Sequence, residues 1–159
     1  MTHISIKWFV PSKFEWALYL HEDAENGGLE YHIHKVSGQW LAGHRKRKGI
    51  CRNDRLSGLF GIGSILVSEM MVHRIITEMD KSMNDNDDLT CKSWVGRAVE
   101  KVIEAKALDI GCGWKDLKDA VFQFAAMHWQ SAFENVQLRP TASLGLGTTP
   151  AQEKACVIC

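Results

Sequence analysis

Residues 14 to 21 alternate without a break. Phe14, Trp16, Leu18 and Leu20 fall on one side, and Glu15, Ala17, Tyr19 and His21 on the other. A period of two is the pattern of a strand with one face against a core. Asp23-Ala24-Glu25-Asn26-Gly27-Gly28 then supplies turn residues. Glu30 to Ser37 reads as the returning partner, with His32, His34 and Val36 on one face. His3 to Val10 alternates more loosely before Pro11-Ser12 breaks it, and Trp40 to His44 suits a short strand. Leu59 to Val67 is apolar with Gly61 and Gly63 inside it, which suits a buried, bent strand.

The periodicity then changes from two to three and four. Ser68 is placed to cap a helix over 69–79 with Met71, Val72, Ile75 and Ile76 inward. A second helix begins near Asp88 and ends near Ala107, with Asp87, Asp88 and Thr90 as candidate caps. A third runs from Trp114 to about Val136, with Leu117, Val121, Phe124 and Ala125 inward. Strands in one block and helices in the next predict the α+β class, an antiparallel sheet of about four to five strands packed against helices. With 159 residues, the chain reads as one domain over 1–138 and a flexible carboxyl-terminal tail over 139–159.

Nineteen Lys and Arg balance nineteen Asp and Glu, so no global charge draws the protein to nucleic acid. Arg45-Lys46-Arg47-Lys48 is a local basic run, followed by Arg52 and Arg55. It reads as a solvated loop or as a contact for phosphate or an anionic membrane, and Asp85-Asn86-Asp87-Asp88 is placed to neutralise it. No nucleic-acid recognition motif accompanies it. Neither a signal peptide nor a membrane-spanning stretch is expected. The five cysteines have neither metal-ligand spacing nor a disulfide pattern, which suits a reducing, cytoplasmic setting without metal or other cofactor. The last four residues, Cys156-Val157-Ile158-Cys159, form a prenylation box. A terminal residue other than Leu or Phe favours a farnesyl group on Cys156, placing the protein on the cytosolic face of a membrane. One such chain binds weakly, and the 45–48 run is the candidate second signal.

The residue with most chemical potential is Cys91. Cys91, Trp94, Val95, Ala98, Val99 and Val102 share a helix face, with the thiol in the first turn. The positive end of a helix dipole favours thiolate, although free cysteine is also a common core residue.

Three segments carry a family pattern. Phe14-Glu15-Trp16-Ala17-Leu18-Tyr19-Leu20 resembles the His-Trp-Ala-Leu-Tyr-Leu strand of circularly permuted NlpC-type, papain-like proteins. That group includes lecithin:retinol acyltransferase-like enzymes and small fungal proteins of unknown function. Tyr31-His32-Ile33-His34 is similar to the family's second strand, and Leu89-Thr90-Cys91-Lys92-Ser93-Trp94-Val95 to its Asn-Cys-Gln-x-Trp-Val motif. The resemblance covers roughly residues 3 to 108. It implies a papain-like fold in which Cys91 attacks an acyl, amide or ester carbonyl, with an imidazole as base. Trp16, Tyr19 and Trp94 would then line the cleft.

Glu15 stands where the family has its catalytic histidine. A carboxylate is a poor base for a thiol and opposes its ionisation. Three outcomes follow. His34 or His32 serves as base with Glu15 orienting it; Glu15 acts as a general acid in another reaction; or the site is inactive and the fold is kept for binding. The resulting expectation is a non-catalytic binding or regulatory module, prenyl-anchored to a membrane. The alternative is a cysteine-dependent hydrolase or acyltransferase using Cys91 with His34 or His32.

Overall fold

The computed structural model describes residues 1–9, 15–52, 56–108, 110, 112–134 and 140–144. It is α+β. Strands β1 (His3–Phe9), β2 (Glu15–Asp23), β3 (Gly27–Tyr31), β4 (Ile33–Val36), β5 (Gln39–Ala42), β6 (Arg45–Arg47) and β7 (Leu56–Ser64) come first. Helices α1 (Glu69–Asp80), α2 (Cys91–Glu104) and α3 (Trp114–Phe133) follow, and a short β8 (Thr141–Ser143) closes the order. Six strands form one sheet, in the order β6-β3-β2-β1-β7-β8, antiparallel except for β7 with β8. That is more than the four to five strands expected.

Alternation sorts the sheet into two faces. Ile4, Ile6, Trp16, Leu18, Leu20, Tyr31, Phe60 and Ile62 meet the helices in the main core. Tyr19, Leu56 and Leu59 belong to a smaller cluster with Ala24, Ile50 and Cys51. Helix α2 lies against β2, α3 against β7, and α1 against α2. Ser68 Oγ accepts from Met71 N at 3.3 Å and so starts α1. Val72 and Ile76 are buried as expected, but Met71 is exposed on the outer face of the helix. Thr90, rather than either aspartate, caps α2. Thr90 Oγ1 accepts from Ser93 N and Ser93 Oγ accepts from Thr90 N, a reciprocal pair that satisfies two otherwise orphaned donors.

Three local expectations are corrected. The strand expected over 30–37 breaks at His32. The β2–β3 ladder stops at Leu18↔Tyr31, and the chain beyond folds into a separate two-stranded sheet, β4 with β5. The His32 carbonyl accepts from Gly43 N at 2.8 Å, so this bond closes the base of the new hairpin. The basic run is a strand instead of a loop, because β6 pairs with β3 along Gly28↔Arg47 and Glu30↔Arg45. The segment from Pro140 is ordered over 140–144: Pro140 O accepts from Leu59 N, and β8 pairs with β7. Phe14 and residues 145–159, which include Cys156 and Cys159, lie outside the described residues.

Candidate thiol site

The capping pair sets Cys91 as the first residue of α2, where it is half-buried against the main core. One turn on, Trp94 is buried and donates from Nε1 to Asp80 Oδ1 at 2.9 Å. Val95, Ala98, Val99 and Val102 continue the buried stripe. Beside Cys91, the Lys92 ammonium lies 3.8 Å from the Phe122 ring centre and 5.8 Å from that of Trp16. Burial lowers the Lys92 pKa, and nearby Lys118 adds to the effect. Trp16 is itself buried, edge-on to Trp114 at 6.4 Å and tilted on Phe122 at 5.3 Å.

Trp16 and Trp94 therefore share the helix-facing side of the sheet, but Tyr19 does not. Tyr19 is buried on the opposite face, where its hydroxyl donates to the Ala24 and Arg47 carbonyls at 3.3 Å each. Burial pushes that hydroxyl up to about 12, with Cys51 and Glu30 adding to the shift.

Glu15 is not paired with the histidines expected to serve Cys91. Glu15 opens β2, is exposed, and its side chain makes no hydrogen bond or ion pair with another described residue. The β2–β3 register, extended by three pairs, would set Glu15 opposite His34. That pairing does not form, because the ladder ends at Tyr31. His34 instead lies exposed on β4, opposite Leu41 and with its ring 5.8 Å from that of His32. His32 lies over Gly43, so tightly that a methyl group there would meet its Nε2 at 2.4 Å. Its Nδ1 is 3.3 Å from Glu30 Oε1 without hydrogen-bond geometry. Burial brings His32 down to about 4, Glu30 opposes that, and Arg45, Lys7 and His34 reinforce it. An imidazole with so low a pKa holds a thiol proton poorly.

Glu30 is the hub of a different network. It accepts from Lys7, from Arg45 at 3.0 Å and from Arg47 at 3.2 Å. Lys7 and Glu30 are both fully buried. Burial alone would raise the Glu30 carboxyl; the Lys7 charge and the hydrogen bonds from Lys7 and Arg45 outweigh it and hold the group below the usual carboxylate range.

A second arrangement near the Cys91 helix involves none of the candidate site residues apart from Trp94. His44 Nε2 lies 2.7 Å from Asp80 Oδ2, so Asp80 holds both His44 and the Trp94 indole. The His44 ring lies 4.9 Å from that of Tyr31 and 6.1 Å from that of Trp94, and Tyr31 Oη is 3.3 Å from His73 Nδ1. The carboxylate thus fastens α1, α2 and the segment after β5 together. Its signal was present in the sequence: Val72, Ile76 and Asp80 are spaced by four, which puts an acid on a buried stripe. Among the described residues, no group of three or more His, Cys, Asp or Glu is arranged to hold a metal ion. No helix among them is long and apolar enough to cross a membrane.

No protein-family model, curated protein or solved structure matches the chain.

Proposed function

We propose that the protein is a non-catalytic binding or regulatory module on a scaffold resembling the circularly permuted NlpC-type proteins, held at a membrane by a prenyl group on Cys156. The observation that carries this reading is that the Glu15–His34 pairing which would support an activating imidazole does not form. Glu15 is exposed with no side-chain partner among the described residues, His34 is on a hairpin that has left the sheet, and His32 is held neutral by burial. Papain-like chemistry requires an imidazole that takes and returns the thiol proton, and a histidine as weakly basic as His32 serves that step poorly. The helix-start placement of Cys91 is then an inheritance of the scaffold, and its side chain serves packing beside Trp94 and Val95.

The experiment is fractionation of the full chain in a eukaryotic host. Cys156→Ser moves the protein from membrane to supernatant, and Cys91→Ala leaves both its partition and its phenotype unchanged. A Cys91→Ala variant with the phenotype of a deletion contradicts the reading and restores the cysteine-dependent hydrolase or acyltransferase.

A further inference from the structure

Strand β6 ends the main sheet on one side. It pairs with β3 and, among the described residues, with no other strand. Such a border presents backbone donors and acceptors that the ladder leaves unused. Here those groups can be assigned. The Arg47 carbonyl accepts from Tyr19 Oη at 3.3 Å, and Tyr19 reaches it from β2, on the far side of β3. A Cβ on Gly27, at the start of β3, would meet the same carbonyl at 3.1 Å. Arg47 O therefore points into the sheet. Backbone directions alternate along a strand, so Arg45 also turns inward, and the Lys46 N–H and C=O turn outward. No hydrogen bond to either Lys46 group is made by a described residue on that side.

The side chains of this border carry one sign of charge on both faces. Arg45 lies opposite Glu30 in the register, and Arg45 and Arg47 both reach that carboxylate from the face away from the helices. Lys46 lies opposite Leu29, which packs against the main core, so Lys46 belongs to the helix side. Glu30 also serves Lys7, so its charge is shared among three cations. Exposed Lys46 makes no ion pair with a described residue, and Asp85, Asp87 and Asp88 pair with none of these cations. A second copy of β6 would set like charges opposite one another, which disfavours self-pairing. A polyanion without a peptide backbone would meet the cations and leave the Lys46 N–H and C=O without strand partners. An extended acidic peptide satisfies both.

We propose that β6 is a docking edge for an acidic segment of a partner protein, which joins the sheet as a further strand, pairs with the Lys46 N–H and C=O, and sets Asp or Glu side chains beside Lys46 on one face and Arg45 and Arg47 on the other. Main-chain bonds supply affinity in this mode of recognition, and alternate side chains supply specificity. The inference rests on the binding-module reading, to which it gives a partner class. Neither Cys91 nor Cys156 takes part, so the two can fail separately.

The test uses the full chain and a short fluorescein-labelled peptide of Glu and Thr, with Glu at both odd and even positions. Binding is read by fluorescence anisotropy, and backbone pairing by hydrogen exchange at the Lys46 amide. The peptide is expected to bind, less tightly as salt is added, and to slow exchange at Lys46 about tenfold or more. Lys46→Gln removes one cross-strand charge pair and should weaken binding up to about fivefold. Lys46→Pro removes the same charge together with the outward N–H, and should lose roughly a further tenfold. Proline is tolerated on an edge strand where its nitrogen faces away from the ladder, and thermal melts check that both variants fold. If Lys46→Pro does not fold, protection of the Lys46 amide in the parent and in Lys46→Gln decides the matter. Four results overturn the proposal: no binding of the peptide, binding without protection of the Lys46 amide, a folded Lys46→Pro that binds like Lys46→Gln, or equal affinity for an oligothymidylate of the same charge. After the first, the cations of β6 guard an exposed strand edge and nothing more. None of these results bears on whether Cys156 anchors the protein in cells.

Discussion

Replacing Glu30 with Gln should be among the most damaging single changes in the chain. Glu30 is 1% exposed, and Lys7, which it accepts from, is 0% exposed. Gln keeps the shape and removes the charge, so buried Lys7 loses the Glu30 carboxylate, the group that opposes the burial bringing its pKa down to about 8. Arg45 and Arg47 are 48% and 36% exposed and can turn to water, which confines the loss largely to Lys7. Removing one partner of a buried pair costs about 3 to 5 kcal/mol. For a domain of this size that corresponds to a fall in Tm of roughly 6 to 20 °C. It is also a large share of a total stability of about 5 to 15 kcal/mol. The assay is urea unfolding followed by tryptophan fluorescence, with the slope checked for constancy. Lys7→Met in the Glu30→Gln background should restore most of the loss, because no buried charge remains; the double-mutant cycle isolates the coupling. A Glu30→Gln variant within about 1 kcal/mol of the parent would show that the pair is not a buried one and that water reaches Lys7.

Stability should fall as pH is lowered from 6.5 toward 4. Burial brings His21 and His32 each down to about 4 from 6.5, with His3 adding to the effect at His21. The unfolded chain therefore binds more protons in that window, and the stabilisation present above pH 6.5 is lost through it, about 2 to 3 kcal/mol for each ring. His21→Gln/His32→Gln should flatten the urea midpoint over the same range; an unchanged slope contradicts this. Gly96→Ala should destabilise by about 1 to 2 kcal/mol in spite of a helix-propensity gain of about 1. The added Cβ would lie 2.6 Å from the Trp114 ring; a thermal melt with a raised midpoint would count against that contact. Asp80→Ala should cost about 2 to 4 kcal/mol by stranding the buried Trp94 N–H and His44 together, and Asp80→Asn, which keeps one acceptor, should cost less by the same denaturation assay.

What the sequence made legible was whatever one-sided burial writes into a short window. Strand β2 and helix α2 both have a continuous apolar face, and both stand close to where periodicity puts them. The break at His32 was invisible because alternation continues through it; a bond from Gly43, eleven residues later, decides where the strand stops. Strand β6 was hidden by its own charges. Arg45 and Arg47 face a buried carboxylate instead of solvent, and only the Glu30↔Arg45 register brings them there. The same holds for Lys7, which a composition-based reading places outside the protein and the β1–β2 pairing places within it. Strand β8 depends on a partner some eighty residues earlier in the chain and carries no local turn signal. Within the candidate site, Cys91, Trp16 and Trp94 were legible as members of periodic faces. The positions of Glu15, His32 and His34 depended on a register that the sequence does not encode locally, and the His44–Asp80 pair spans 36 residues.

The claim that Cys91 sits in a scaffold without working chemistry is tested most directly by its alkylation. Brief iodoacetamide treatment of the full chain between pH 6 and 9, read by peptide mass spectrometry, gives the rate at each cysteine beside a glutathione standard. Cys91 is expected to react no faster than glutathione at neutral pH, and His32→Ala and His34→Ala to leave its rate unchanged. Labelling of Cys91 well ahead of glutathione at neutral pH, abolished by either histidine substitution, would contradict it and make the protein a thiol enzyme.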